Sequence, residues 1–188
     1  MKNSNQYLYV ITGGPGVGKT SLLEALDKDG FRTVAEEARR IIKEQMNSGG
    51  DALPWRNKIK YAELMLNASA ETYRKIKNTH PAEPVFFDRG ILDTACYMEM
   101  ENIPLSDKAR AIIRETTYNH TVFILPPWKE IYENDSERKQ TWEEALSTFG
   151  KMKATYMKYG YHVVEVPKDT VKNRGLFVLE KINFHKDQ

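Results

Sequence analysis

Residues 11–21 read ITGGPGVGKTS, and this stretch narrows the possible folds more than any other part of the chain. Four glycines and a proline separate an apolar, β-branched run, Tyr7 to Thr12 (YLYVIT), from a helical run that continues from Ser21 (SLLEALD). Gly13, Gly18, Lys19 and Thr20 fit the spacing G-x-x-x-x-G-K-[ST], with Gly14, Pro15, Gly16 and Val17 completing the loop. Glycine lets the backbone curl so that successive N–H groups point inward at phosphate oxygens, and the helix amino terminus adds the positive end of its dipole. In such a loop Lys19 neutralises terminal phosphates, Thr20 offers a hydroxyl to Mg²⁺ and Ser21 hydrogen-bonds an inner phosphate. The competing reading is a glycine-rich turn with an incidental lysine. The strand pattern before it and the helix pattern after it argue for the phosphate loop.

Beyond the loop, strand-like and helix-like segments alternate, which predicts an α/β fold with a mainly parallel sheet. FRTVA (31–35) reads as a second strand and EEARRIIKEQM (36–46) as a helix whose leading acids suit its dipole. A long helix is expected over 55–77, with Ile59, Ala62, Leu66, Tyr73 and Ile76 near helical spacing. The apolar run Val85 to Phe87 predicts a strand buried on both faces, ending in Asp88-Arg89-Gly90. Helices over 93–100 and 106–118 lead to strand TVFIL (121–125), and a helix over 142–159 precedes strand YHVVEV (161–166) and a final helix over 171–182. Gly30 is expected to close the first helix.

A chain of 188 residues suits one domain, taken as 1–188, with a mobile subregion. A net charge of +2, with lysines spread along the chain, argues against a nucleic-acid surface. No apolar run is long enough to span a bilayer, and the amino terminus lacks a signal core, so a cytoplasmic protein is expected. The single cysteine, Cys96, sits in an apolar-spaced segment and reads as a buried thiol. His80, His120, His162 and His185 show no metal-ligand spacing, and Trp55, Trp128 and Trp142 read as core or lid packing.

A phosphate loop with a metal needs a carboxylate at the end of a neighbouring buried strand. Asp88 is the candidate, emerging after Phe86 and Phe87; the alternative is a cap for the next helix. Arg89 either clamps a phosphate or pairs with Glu36 or Glu37 as a structural ion pair.

The motifs GGPGVGKTS, VAEEARRII, VFFDRGILD, YENDSERKQTWEEA and YHVVEVP, in this order, give the chain a resemblance to P-loop kinase-like ATPases. These are grouped under the AAA-type domain that includes the ribosylnicotinamide kinase region of a bacterial NAD-metabolism regulator. The similarity spans nearly the whole chain. It implies a three-layer P-loop NTPase with a five-stranded parallel sheet in spatial order 2-3-1-4-5, helices on both faces, an acceptor-side helical region over 36–80 and a small lid over 126–142. These 188 residues show no pattern expected of an arginine finger or of the second helical domain of ring-forming AAA+ machines.

By the same resemblance, Glu36 or Glu37 stands where related deoxynucleoside kinases place the general base, unless both are only the acidic start of a helix. Arg39 and Arg40 lie one turn later, so at least one of them is expected at an anionic acceptor and the other on a solvated face. Arg138 is the lid arginine that would fold over the transferring phosphate, against the plain reading of a solvated charged stretch. Lys168 and Asp169 follow the last strand where related folds hold the purine ring, although Asp169 or Thr170 also suits a helix cap. The resemblance thus implies ATP and Mg²⁺ as cofactors and γ-phosphoryl transfer to a small acceptor such as a nucleoside, nucleotide or related metabolite. The rival is a nucleotide-gated module acting on a protein or an anionic lipid; Asn57-Lys-Ile-Lys60 lacks the aspartate of an N-K-x-D guanine reader.

Overall fold

The computed structural model describes residues 5–131 and 141–184. Arg138 and most of the expected lid lie outside the described residues.

Thirteen elements alternate along these residues. Strand β1 (Leu8–Gly13) is followed by α1 (Lys19–Lys28), β2 (Arg32–Val34), α2 (Glu37–Ser48) and α3 (Lys58–Lys77). Next come β3 (Val85–Asp88), α4 (Ile91–Met100), α5 (Asp107–Glu115) and β4 (Thr121–Leu125), then a 3₁₀ turn over Lys129–Ile131. Helix α6 (Trp142–Lys158), β5 (His162–Glu165) and α7 (Val171–Lys181) complete the order.

The five strands form one parallel sheet in the order β2-β3-β1-β4-β5, as the resemblance implied. Strand β1 is buried along its whole length because it is paired on both edges and covered on both faces. The period of two splits its side chains. Leu8 and Val10 join Phe87, Leu66, Tyr73 and Ile91 on one side, while Tyr9 and Ile11 join Phe86, Leu22, Phe31 and Phe123 on the other. The outer strands β2 and β5 are half covered.

Local chemistry sets the element ends. Thr141 caps α6 by accepting from the Glu144 N–H, and Glu144 accepts from the Thr141 N–H in return. Asn57 caps α3, which starts later than the spacing suggested; Trp55 lies before it and is 62% exposed, and Ile59 is 55% exposed rather than facing the core. The first turn of α3 meets the end of α4 through the Lys58–Glu101 ion pair, and Ile59 is left on the exposed face. Cys96 is buried, as expected.

This topology decides where a site can be. Parallel strands all end on one edge, and the β1 and β3 register sets Ile11 beside Asp88. The glycine loop after β1 and the Asp-Arg-Gly turn after β3 therefore meet at the carboxyl edge of the sheet.

Candidate active site

Two adjoining cavities open at this edge. The larger, about 840 Å³, is walled by the glycine loop, the start of α1 and the start of α7. The smaller, about 260 Å³, lies between β3, α2, α3 and α4. Glu36, Ala38, Tyr61 and Arg89 line both.

The loop owes its shape to backbone that other residues would strain. Gly13 has φ +146°, and a Cβ there would lie 2.9 Å from the Leu125 carbonyl oxygen. Gly18 has φ +80° where α1 begins. Gly14, Pro15, Gly16, Gly18, Lys19, Thr20 and Ser21 all line the larger cavity. Gly13 and Val17 do not: Gly13 ends β1, and Val17 is buried in the core beneath the loop. Those two shape the loop from behind.

Lys19 is nearly buried, and its Nζ lies 2.7 Å from Asp88 Oδ1. Asp88 is not the cap of α4, because the Asp93 carboxylate takes that role by accepting from the Gly90 N–H at 2.8 Å. Asp88, the partner of Lys19, and Thr20, the residue after Lys19, carry oxygen donors of the kind hard cations prefer. Magnesium commonly takes one or two protein oxygens and fills its octahedron with phosphate oxygens and water. Among the described residues no group of three or more His, Cys, Asp or Glu could hold a metal on its own. The residues present therefore fit a magnesium ion carried by a polyphosphate, not a caged one.

Arg89 sits at φ +70°, an unusual backbone state for a non-glycine residue, at the corner where β3 turns into α4. Its Nε is 2.8 Å from Glu36 Oε1 and its Nη1 is 3.4 Å from Asp93 Oδ1. Burial would push this guanidinium down, but Glu36, Asp93 and Asp88 together outweigh it and hold Arg89 firmly protonated. Asp93 is buried and also accepts from Tyr156 Oη at 2.6 Å and from Thr12 Oγ1. Burial first, then Asp93, raises the Tyr156 phenol well above its ordinary value. This network ties β1, the β3–α4 corner and α6 together beneath Arg89.

Glu37 lines the smaller cavity only, held by the Thr72 hydroxyl at 2.5 Å and by Arg40. Arg40 spends itself on Glu37 and Glu44 on the surface, whereas Arg39 lines the larger cavity. Asp169 also lines the larger cavity, while Thr170 caps α7 by accepting from the Asn173 N–H. Lys168 is exposed and is not among the residues that wall either cavity.

Several wall residues left no usable mark in the sequence. Arg174, 4% exposed, donates from Nη1 to the Gly18 carbonyl at 3.2 Å across 156 positions of chain. Its guanidinium lies 5.8 Å from the centre of the Trp128 ring, so Trp128 is a cavity wall. Burial pushes Arg174 down, partly offset by Asp169. In the smaller cavity Tyr61 and Tyr97 meet edge to face at 5.7 Å. Asp93 did carry a signal, since an acid three residues after Gly90 is a helix-capping pattern, but nothing in the pattern indicated its buried network.

The sheet order, the loop geometry and the helices on both faces define the P-loop NTPase fold shared by nucleoside and nucleotide kinases. The chain belongs to the AAA domain family, whose profile matches residues 8–174. No curated protein matches it in sequence. Among solved structures it is similar to NadR protein in complex with NR (18% identity, TM-score 0.71), over 96% of this chain and 53% of that one. This chain thus spans about half the length of NadR. It is also similar to deoxyadenosine kinase from M. mycoides with bound dATP (17%, TM-score 0.58, 94% and 99% covered). A third is thymidylate kinase from Ehrlichia chaffeensis (14%, TM-score 0.64, 96% and 100% covered). At these identities the likeness shows the fold. No helix among the described residues is long and apolar enough to cross a membrane.

Proposed function

We propose that this chain is a phosphotransferase that binds magnesium-ATP in the larger cavity and transfers its γ-phosphoryl group to a hydroxyl of a small acceptor in the smaller one. The observation that carries this reading is the junction itself: a phosphate loop and a separate, ligand-sized cavity meet at Glu36 and Arg89. A module that only sensed nucleotide would have no need of a second cavity sharing walls with the first. The kinds of protein that share the fold, including deoxyadenosine, thymidylate and shikimate kinases, support the same class of reaction.

In this mechanism the main-chain N–H groups of Gly14, Gly16, Gly18 and Lys19, with the Lys19 ammonium, hold the β- and γ-phosphates. Thr20 and Asp88 would hold the magnesium ion, which would supply charge neutralisation at those phosphates. Ser21 bonds an inner phosphate. Trp128, backed by Arg174, walls the space for the nucleobase, and Asp169 closes its edge. Lys19 must leave Asp88 to reach the phosphates, so nucleotide binding exchanges one ion pair for another. Arg89 faces both cavities, and Arg138 is the lid arginine expected to join it on the transferring group.

Glu36 takes the proton from the acceptor hydroxyl, because it lines both cavities whereas Glu37 lines one. The acceptor oxygen forms a bond to the γ-phosphorus. The bond from that phosphorus to the β,γ-bridging oxygen breaks, and ADP leaves with its electron pair. Catalysis of this kind rests on positioning and charge.

The test is γ-labelled ATP with a panel of nucleosides, nucleotides and sugars, run beside Lys19→Ala. Label should appear in a small acceptor, and the variant should lose nucleotide binding or turnover. Wild-type activity in the variant would remove the assignment of the loop. An absence of labelled product across the panel, with ATP still bound, would turn the reading to a nucleotide-gated module.

A further inference from the structure

The two cavities have opposite charge, and this bears on the acceptor. Around the larger cavity the described wall residues carry four cations, Lys19, Arg39, Arg89 and Arg174, against Glu36 and Asp169. Around the smaller, the ratio inverts: Glu36, Glu37 and Asp93, with Asp88 already paired to Lys19, stand against Arg89 as the one cation among the described wall residues. That arginine is already held between Glu36 and Asp93. The structure assigns to the smaller cavity an uncharged, hydroxyl-bearing acceptor with a planar ring, of nucleoside size, and excludes the corresponding monophosphate. This rests on the phosphotransfer reading and narrows it.

A phosphate monoester would bring about −1.5 to −2 charges among carboxylates with no uncommitted cation to meet it. A hydroxyl is what fixed carboxylates want. Glu37 is pinned by Thr72 and Arg40, and Glu36 by Arg89, so both offer acceptor oxygens in set positions to O–H donors. The remaining wall is aromatic and apolar, with Tyr61 against Tyr97 and Phe87 against Tyr118 at 5.2 Å, beside Met65. Such walls favour a flat ring over a free sugar. The Tyr97 hydroxyl is buried and has no hydrogen-bond partner among the described residues, which leaves it for a polar atom of the ligand. A volume of about 260 Å³ admits one ring and one sugar and little more. The transferred group turns the neutral acceptor into the disfavoured anion, so the product is expelled by the same carboxylates.

The experiment uses the full chain, magnesium and γ-labelled ATP with matched trios: a nucleoside, its 5′-monophosphate and free ribose. The nucleoside of at least one trio should be phosphorylated with kcat/KM about 100-fold above both companions, a ratio equivalent to about 2.7 kcal/mol. Preference for the monophosphate would overturn the charge argument while leaving phosphotransfer intact, and ribose used as well as the nucleoside would overturn the need for a ring. No product from any arm would overturn the phosphotransfer reading and the proposal with it. Glu37→Gln separates charge from size: discrimination against the monophosphate should fall several-fold, whereas unchanged discrimination would mean simple steric exclusion and would also overturn the proposal.

Discussion

The two cavities share four wall residues and almost nothing else in character. One is built from backbone: a loop of glycines, a helix start and cations that sit behind them. The other is built from side chains that oppose each other, carboxylates against one arginine, inside a ring of phenols and phenylalanine. A polyphosphate can be held by main-chain amides, which any sequence supplies once the chain curls correctly. A specific acceptor has to be read by side chains. Arg89 sits where the two kinds of surface meet, and its strained backbone is held there by Glu36, Asp93 and the network beneath.

The sharpest way to break this comparison is at the boundary. Glu36→Gln should lower kcat by about 10²–10⁴-fold while leaving ATP affinity in place, with Glu37→Gln falling less. A steady-state kcat and an equilibrium ATP titration decide it, and equal effects of the two variants would remove the assignment of the base. On the backbone-built side, Trp128→Ala should weaken ATP by about 5- to 160-fold, from a stacking loss of about 1–3 kcal/mol. It should leave inorganic tripolyphosphate unaffected, which calorimetry with both ligands checks.

The phenol ring of the acceptor side gives a smaller, pH-dependent effect. Tyr61 is pushed up to about 12, by burial first and then by Glu36. A folded-state value above the unfolded one favours the protonated native form, so its contribution is full below about pH 10 and is lost as pH rises toward 12. Thermal melts over that window should fall for the wild type, and Tyr61→Phe should flatten the fall by at most about 1.4 kcal/mol per pH unit. Smallest of all, Lys168→Ala should leave ATP affinity within about 2-fold of wild type, since the side chain is exposed and away from both walls. A larger loss in the same titration would restore Lys168 to the base site that the resemblance assigned it.

How far the sequence could be read follows the same division. The loop was legible because glycine spacing encodes backbone conformation directly, and β3 was legible because a doubly buried strand has no polar face to show. Trp55 and Ile59 misled because apolar spacing says which face a helix offers, without saying whether a neighbour reaches it. Trp128 read as packing and Arg174 drew no reading at all. Arg174 reaches Gly18 across 156 positions and lies over the Trp128 ring, and no local pattern records such contacts.

By itself the sequence determined the alternation of strands and helices, the phosphate loop and the sets of candidate acids and arginines, because these depend on residues close together in the chain. Only the tertiary structure decided which acid faces which cavity, that Asp93 lies beneath Arg89, and that the charge reverses across Glu36. Those facts depend on the register of parallel strands and on helices packed from distant segments, and the field at a point is a sum over groups that only folding brings together.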